Sequence, residues 1–151
     1  MVQPDAYECR AGCHRCCHAD LVVFGVEADR VALAFARLPA AQRRAIVRRA
    51  EGGDHCALIH PRTGRCLVYD ERLLVCRGFG LATLFQGEIT WCPLNFRHRA
   101  PRRDLILDLD SINLALRSLE RGAPGGARRV RIADLVRGIS PQAPTPTKRR
   151  R

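Results

Sequence analysis

Apolar positions recur with helical spacing in three stretches of the chain. From Glu27, the residues Val31, Phe35 and Leu38 follow at steps of four and three, which gives one apolar face of a helix. Pro39 ends that helix and suits the first turn of a second, Ala40 to Ala50. The second helix turns Ile46, Val47 and Ala50 inward and carries Arg43, Arg44, Arg48 and Arg49 on a solvated face; Gly52 and Gly53 stop it. The longest stripe is Leu105, Leu109, Ile112, Leu116 and Leu119. It predicts a helix from about Asp104, as its cap, to Arg121, with Gly122 beyond. Strand signals are shorter. Leu21 to Phe24 is rich in β-branched residues, and Leu81 to Phe85 with Glu88 to Trp91 predicts a hairpin across Gln86-Gly87. Val130 to Val136 is a short, weakly patterned element.

Two stretches follow neither period, and they hold the cysteines. Cys9 to His18 is too polar for an ordinary helix, and residues 54–80 turn at Pro61-Arg62-Thr63-Gly64. Beyond Gly138, three prolines and a basic end predict a disordered tail over 139–151, which leaves one domain over 1–138.

Composition sharpens this picture. Hydrophobic residues make up 46% and charged residues 27%, a globular balance. A domain of this size buries roughly two-thirds of its unfolded surface, so it folds without staples. Eight cysteines therefore need a chemical reason as well as a structural one. The start MVQPDAYECR has no basic and apolar leader pattern, and no run of about 18 apolar residues spans a membrane. The expectation is a cytoplasmic protein with reduced thiols, where clustered cysteines are metal ligands in preference to disulfides. The net charge of +11 rests almost wholly on arginine, since Lys148 is the one lysine. Such a surface attracts nucleic acid non-specifically, but no reading module accompanies it.

The first nest is C-x3-C-x2-C-C, namely Cys9, Cys13, Cys16 and Cys17; the second set is Cys56, Cys66, Cys76 and Cys92. Thiolate is the soft donor that zinc and iron–sulfur clusters select. A knuckle such as Cys13 to Cys16 aims two sulfurs at one ion, and the remaining ligands must come from far along the chain. Neighbouring side chains diverge, so Cys16 and Cys17 either serve two centres or divide into a ligand and a small buried residue. Eight sulfurs suit two four-cysteine zinc sites, or one iron–sulfur cluster with four left over. His14, His18 and His55 flank the cysteines as polar neighbours able to replace one. No βαβ pattern surrounds Cys13 and Cys16, and Cys17 stands where a haem motif needs histidine.

The nest, Cys56-Ala57-Leu58, and Gly64-Arg65-Cys66-Leu67-Val68-Tyr69-Asp70-Glu71-Arg72-x3-Cys76-Arg77-Gly78-Phe79 together resemble the YkgJ-like cysteine-cluster family. The likeness runs over about residues 9–92. It implies chelation of zinc or iron by all eight cysteines, and some similar proteins are iron–sulfur enzymes that methylate protein lysines. Leu73 stands where that family usually has proline. Tyr69, Arg72 and Arg77 are candidates to surround the sulfurs, because arginine donates hydrogen bonds and offsets thiolate charge.

The expected fold is a small α+β domain, metal-stapled and cysteine-rich, with about three helices and a short hairpin. The expected function is metal binding, with a centre that organises the fold and serves binding or electron transfer. Two alternatives stand beside it, an iron–sulfur-dependent modifying enzyme and a zinc-scaffolded nucleic-acid-binding protein. No Gly-rich loop follows a strand and no catalytic grouping is visible, so enzyme activity is left open.

Overall fold

The computed structural model describes residues 6–17, 21–123 and 126–138. The proposed tail and His18 lie outside them. Strand β1 (Val22–Phe24) runs straight into α1 (Gly25–Ala36), and Pro39 separates α1 from α2 (Ala40–Arg49). The cysteine region follows, with a 3-10 turn over Tyr69–Glu71 and a short helix, α3 (Leu74–Gly78). Then come β2 (Thr83–Phe85), β3 (Glu88–Thr90), β4 (Leu107–Asp108), α4 (Leu109–Gly122), β5 (Arg129–Arg131) and α5 (Ile132–Arg137).

Two small sheets frame the helices. β1 pairs antiparallel with β5, Val23 opposite Val130, so the strand leading into α1 lies beside a strand from near the end of the described residues. The hairpin β2–β3 forms with Leu84 opposite Ile89, and β4 adds to β2 in parallel. Gln86 and Gly87, both at positive φ, close the hairpin as their sequence predicts. The fold is α+β, and α1, α2 and α4 are its longer helices.

One helix begins later than its stripe predicts. α4 starts at Leu109, not Asp104, because residues 107–108 are taken by the β2 ladder and Arg103–Leu105 forms a 3-10 turn. Asp108 caps it instead, accepting from the Ser111 N–H at 3.0 Å. Leu116 is buried, whereas Leu119 is 63% exposed. Position 120 takes the inward place, and its residue is a glutamate.

Glu120 is 1% exposed. Its carboxylate accepts the N–H groups of Gly25 at 3.1 Å, Val26 at 3.0 Å and Arg128 at 2.7 Å. It thereby caps the N-terminus of α1 from a distant helix, where Phe24 offers no side-chain cap. Gly25 admits nothing larger, since a Cβ would lie 2.5 Å from Glu120 Oε1.

The core joins Val23, Ala28, Val31, Ile46, Ala57, Leu58, Val68, Leu73, Val130, Ile132 and Val136. Burying each of the larger ones contributes about 1.5–3 kcal/mol. Cys56, Cys66 and Cys76 pack against this cluster, so the thiols rest on the core that positions them.

Candidate metal centre

Turns, not helix, set the first nest. The Cys13 N–H donates to Arg10 O and the Cys17 N–H to His14 O, each at 2.9 Å. Gly12, at φ +90°, reverses the chain within the first of these turns. In the second stretch, Ile59 N–H donates to Cys56 O at 3.0 Å and Leu67 N–H to Leu58 O at 2.9 Å. Ile59 and Cys66 then pair across the predicted turn, which sets Cys66 beside the Cys56 segment. Cys76 rides on α3, whose first turn is held by α1: Glu27 Oε1 accepts the Leu74 N–H at 2.8 Å. Arg30 of α1 also pairs with Glu71 at 2.6 Å. Leu73, in the usual proline position, has φ −59° and is buried, so it keeps the bend and adds to the core.

The two stretches meet through backbone. Cys56 N–H donates to Cys17 O at 2.9 Å. Gly12 and Gly64 face each other at close approach. A Cβ on Gly64 would sit 2.3 Å from Gly12 O, and one on Gly12 would sit 2.8 Å from Thr63 O. His14 donates from Nδ1 to Gly12 O at 2.9 Å, and its ring meets His55 edge-on at 5.3 Å. The two rings thus touch across the two stretches.

Cys9, Cys13, Cys16, Cys17, Cys56, Cys66 and Cys76 all line one cavity of about 790 Å³. Cys92 lines a neighbouring cavity of about 420 Å³, together with Cys16. All eight are free thiols. Cys9 and Cys13 are exposed and the others half-buried.

Burial pushes the Cys17 thiol up to about 12, and the nearby sulfurs of Cys16, Cys56 and Cys66 push the same way. Cys76 rises to about 12 through burial first and then Cys56, Cys17 and Cys66, while Arg72 opposes. Cys56 is raised by burial, against a hydrogen bond from the Leu58 backbone and with a further push from Cys66. Cys66 is raised by burial too, against the Val68 backbone and Arg72. Cys16 is raised by burial, against a backbone hydrogen bond, with Cys9 and Cys13 pushing the same way and a hydrogen bond from the Cys17 thiol opposing. Crowded, desolvated thiols resist ionisation one by one, and a bound cation reverses that balance.

Arg72 lies over the Tyr69 ring, 3.7 Å from its centroid, with its charge toward Cys66 and Cys76. Arg77 instead donates to the backbone carbonyls of Arg72, at 2.9 Å, and Asp70, bracing the 3-10 turn. Sequence reasoning missed Asn95, which is 1% exposed and donates to Cys9 Sγ at 3.3 Å. The signal on offer was Cys92-Pro93-Leu94-Asn95, a turn directly after a cysteine.

Among the described residues, no three histidine, cysteine, aspartate or glutamate side chains are gathered tightly enough to hold an ion as they stand. The donor chemistry fits zinc or iron, being soft sulfur on a shared wall. The CxxCxxCC family model, described as a "putative zinc- or iron-chelating domain", matches residues 8–94. The chain belongs to the CxxCxxCC family. That match begins just before Cys9 and ends just after Cys92, so this CxxCxxCC domain spans all eight cysteines. No curated protein and no solved structure matches the chain. No described helix of this CxxCxxCC protein is long and apolar enough to cross a membrane.

Proposed function

We propose that this CxxCxxCC protein holds zinc or iron through cysteine thiolates, and that the metal ties the first nest to the 56–76 segment. The observation that carries this is the single cavity lined by seven cysteines from two distant stretches. Cys17, Cys56, Cys66 and Cys76 lie near one another and are half-buried, the last three packed against the core. Their χ1 rotation brings sulfur inward, Arg72 offsets negative charge, and Leu58, Val68 and Leu73 exclude water.

Zinc at this place serves structure, since it has no redox chemistry, whereas an iron–sulfur cluster supplies one-electron transfer. Elemental analysis and visible absorption on protein purified without oxygen distinguish them. Zinc gives a colourless protein, and iron a brown one with sulfur-to-iron charge-transfer bands. Protein that carries no metal, and whose circular dichroism is indifferent to chelator, refutes the proposal.

A further inference from the structure

Cys16 and Cys17 share a peptide bond, a wall of the larger cavity and a thiol–thiol hydrogen bond, but their further sulfur neighbours differ. Cys17 belongs with Cys56, Cys66 and Cys76: its carbonyl holds the Cys56 N–H, and the Ile59–Cys66 pairing brings the third sulfur alongside. Beyond Cys17, the sulfur neighbours of Cys16 are Cys9 and Cys13, and of the nest's cysteines it is the one that also lines the second cavity, beside Cys92.

Asn95 ties Cys92 to Cys9. Its N–H donates to Cys92 O at 2.8 Å, so it closes the turn that Cys92 opens. Its buried side chain has only one workable orientation. Oδ1 accepts the Glu8 N–H at 2.9 Å, and a backbone N–H can only donate. Nδ2 donates to Gly80 O at 2.5 Å, and a carbonyl can only accept. The second Nδ2 proton is therefore left for Cys9 Sγ at 3.3 Å; the same sulfur lies farther from Oδ1, at 3.7 Å. Gly80, at φ +94°, is the residue that permits this, since a Cβ there would come within 2.7 Å of Cys9 Sγ. A buried amide N–H aimed at sulfur matches an electron-rich acceptor, a thiolate or a metal-bound sulfur.

We propose that the eight thiols serve two centres divided at the Cys16–Cys17 peptide bond. The inner centre takes Cys17, Cys56, Cys66 and Cys76. The outer takes Cys9, Cys13, Cys16 and Cys92, with Asn95 donating to the Cys9 sulfur. This assignment rests on the metal–thiolate reading above. It accounts for the doubled cysteine, because each centre receives one of the pair.

Cobalt(II) alone is the probe. The full chain, stripped of metal and titrated without oxygen, is followed by sulfur-to-cobalt charge-transfer absorption and by elemental analysis. The native chain takes up about two equivalents, as two four-sulfur sites require. Cys9→Ser with Cys92→Ser removes one equivalent and spares the other, and Cys56→Ser with Cys66→Ser does the reverse. Asn95→Asp, which replaces the donor by an acceptor, weakens the outer equivalent by about tenfold or more and leaves the inner one unchanged. A native ratio near one overturns the division while leaving the metal–thiolate reading in place. No cobalt uptake overturns both. The native count needs no variant, so it decides even where a double substitution unfolds the chain.

Discussion

The amide of Cys56 donates to the carbonyl of Cys17 at 2.9 Å, so two stretches nearly forty residues apart are joined by backbone beside their sulfurs. Side chains that a metal draws together thus start from a braced scaffold. The bracing is weak by itself, and a bound ion couples its own binding energy to it.

Gly64→Ala tests that bracing. At φ +64° the new Cβ would press on Gly12 O and His14 Nδ1, and backbone cannot yield as a flexible side chain does. We expect a loss of about 1–3 kcal/mol in stability and a chelator-labile metal, measured by thermal unfolding and metal release. A control at Gly87, with nothing near its Cβ, tests positive φ without the clash.

Alkali should destabilise the metal-free protein. Cys17 and Cys76 lie near 12 when folded, above the ordinary thiol value of about 8.5. The folded state therefore binds more protons than the unfolded one between those values. Stability is fully present below about pH 8.5 and is lost as pH rises toward 12. Denaturant melts across this window should show the decline in the apo chain and little of it in the loaded one. Metal uptake should release protons, detectable by calorimetry in buffers of different ionisation enthalpy.

Arg72 and Arg77 should separate. Removing the Arg72 charge beside Cys66 and Cys76 raises their thiols further, and Arg72→Ala should weaken metal affinity by about tenfold at neutral pH. Arg72→Lys should recover part of this. Arg77→Ala removes donors to two backbone carbonyls and should cost about 1 kcal/mol of stability with affinity little changed. Equal losses of affinity would contradict the distinction.

Glu120→Gln should cost about 1–3 kcal/mol, because an amide cannot accept at both ends from the three N–H groups that the carboxylate holds. Burial tends to raise the Glu120 carboxyl, but the backbone N–H bonds from Val26, Arg128 and Gly25, with the Arg128 charge, bring it below its usual value. Its stabilising effect is thus present above the ordinary carboxylate range and disappears as pH falls through the lowered value. The glutamine variant should lack that part of the acid limb in denaturant melts.

Helices α1 and α2 and the β2–β3 hairpin were legible because their signals are local: apolar spacing, Pro39, and Gln86-Gly87. The start of α4 was not, since a ladder bond to β2 outcompeted the stripe's first turn. For Glu120, nothing near it in the chain announces three amide partners.

From the residues alone came the α+β class, the two cysteine stretches, their soft-donor chemistry and the doubled cysteine that demands two directions. Those properties are carried by composition and by spacing along one dimension. Only the tertiary structure decided that Cys17 turns to Cys56 and Cys66, that Arg77 is spent on the backbone of the 3-10 turn, and that Asn95 points at Cys9. The first and last of these accompany close approaches at Gly12, Gly64 and Gly80 between stretches far apart in sequence, a packing event that no local pattern encodes.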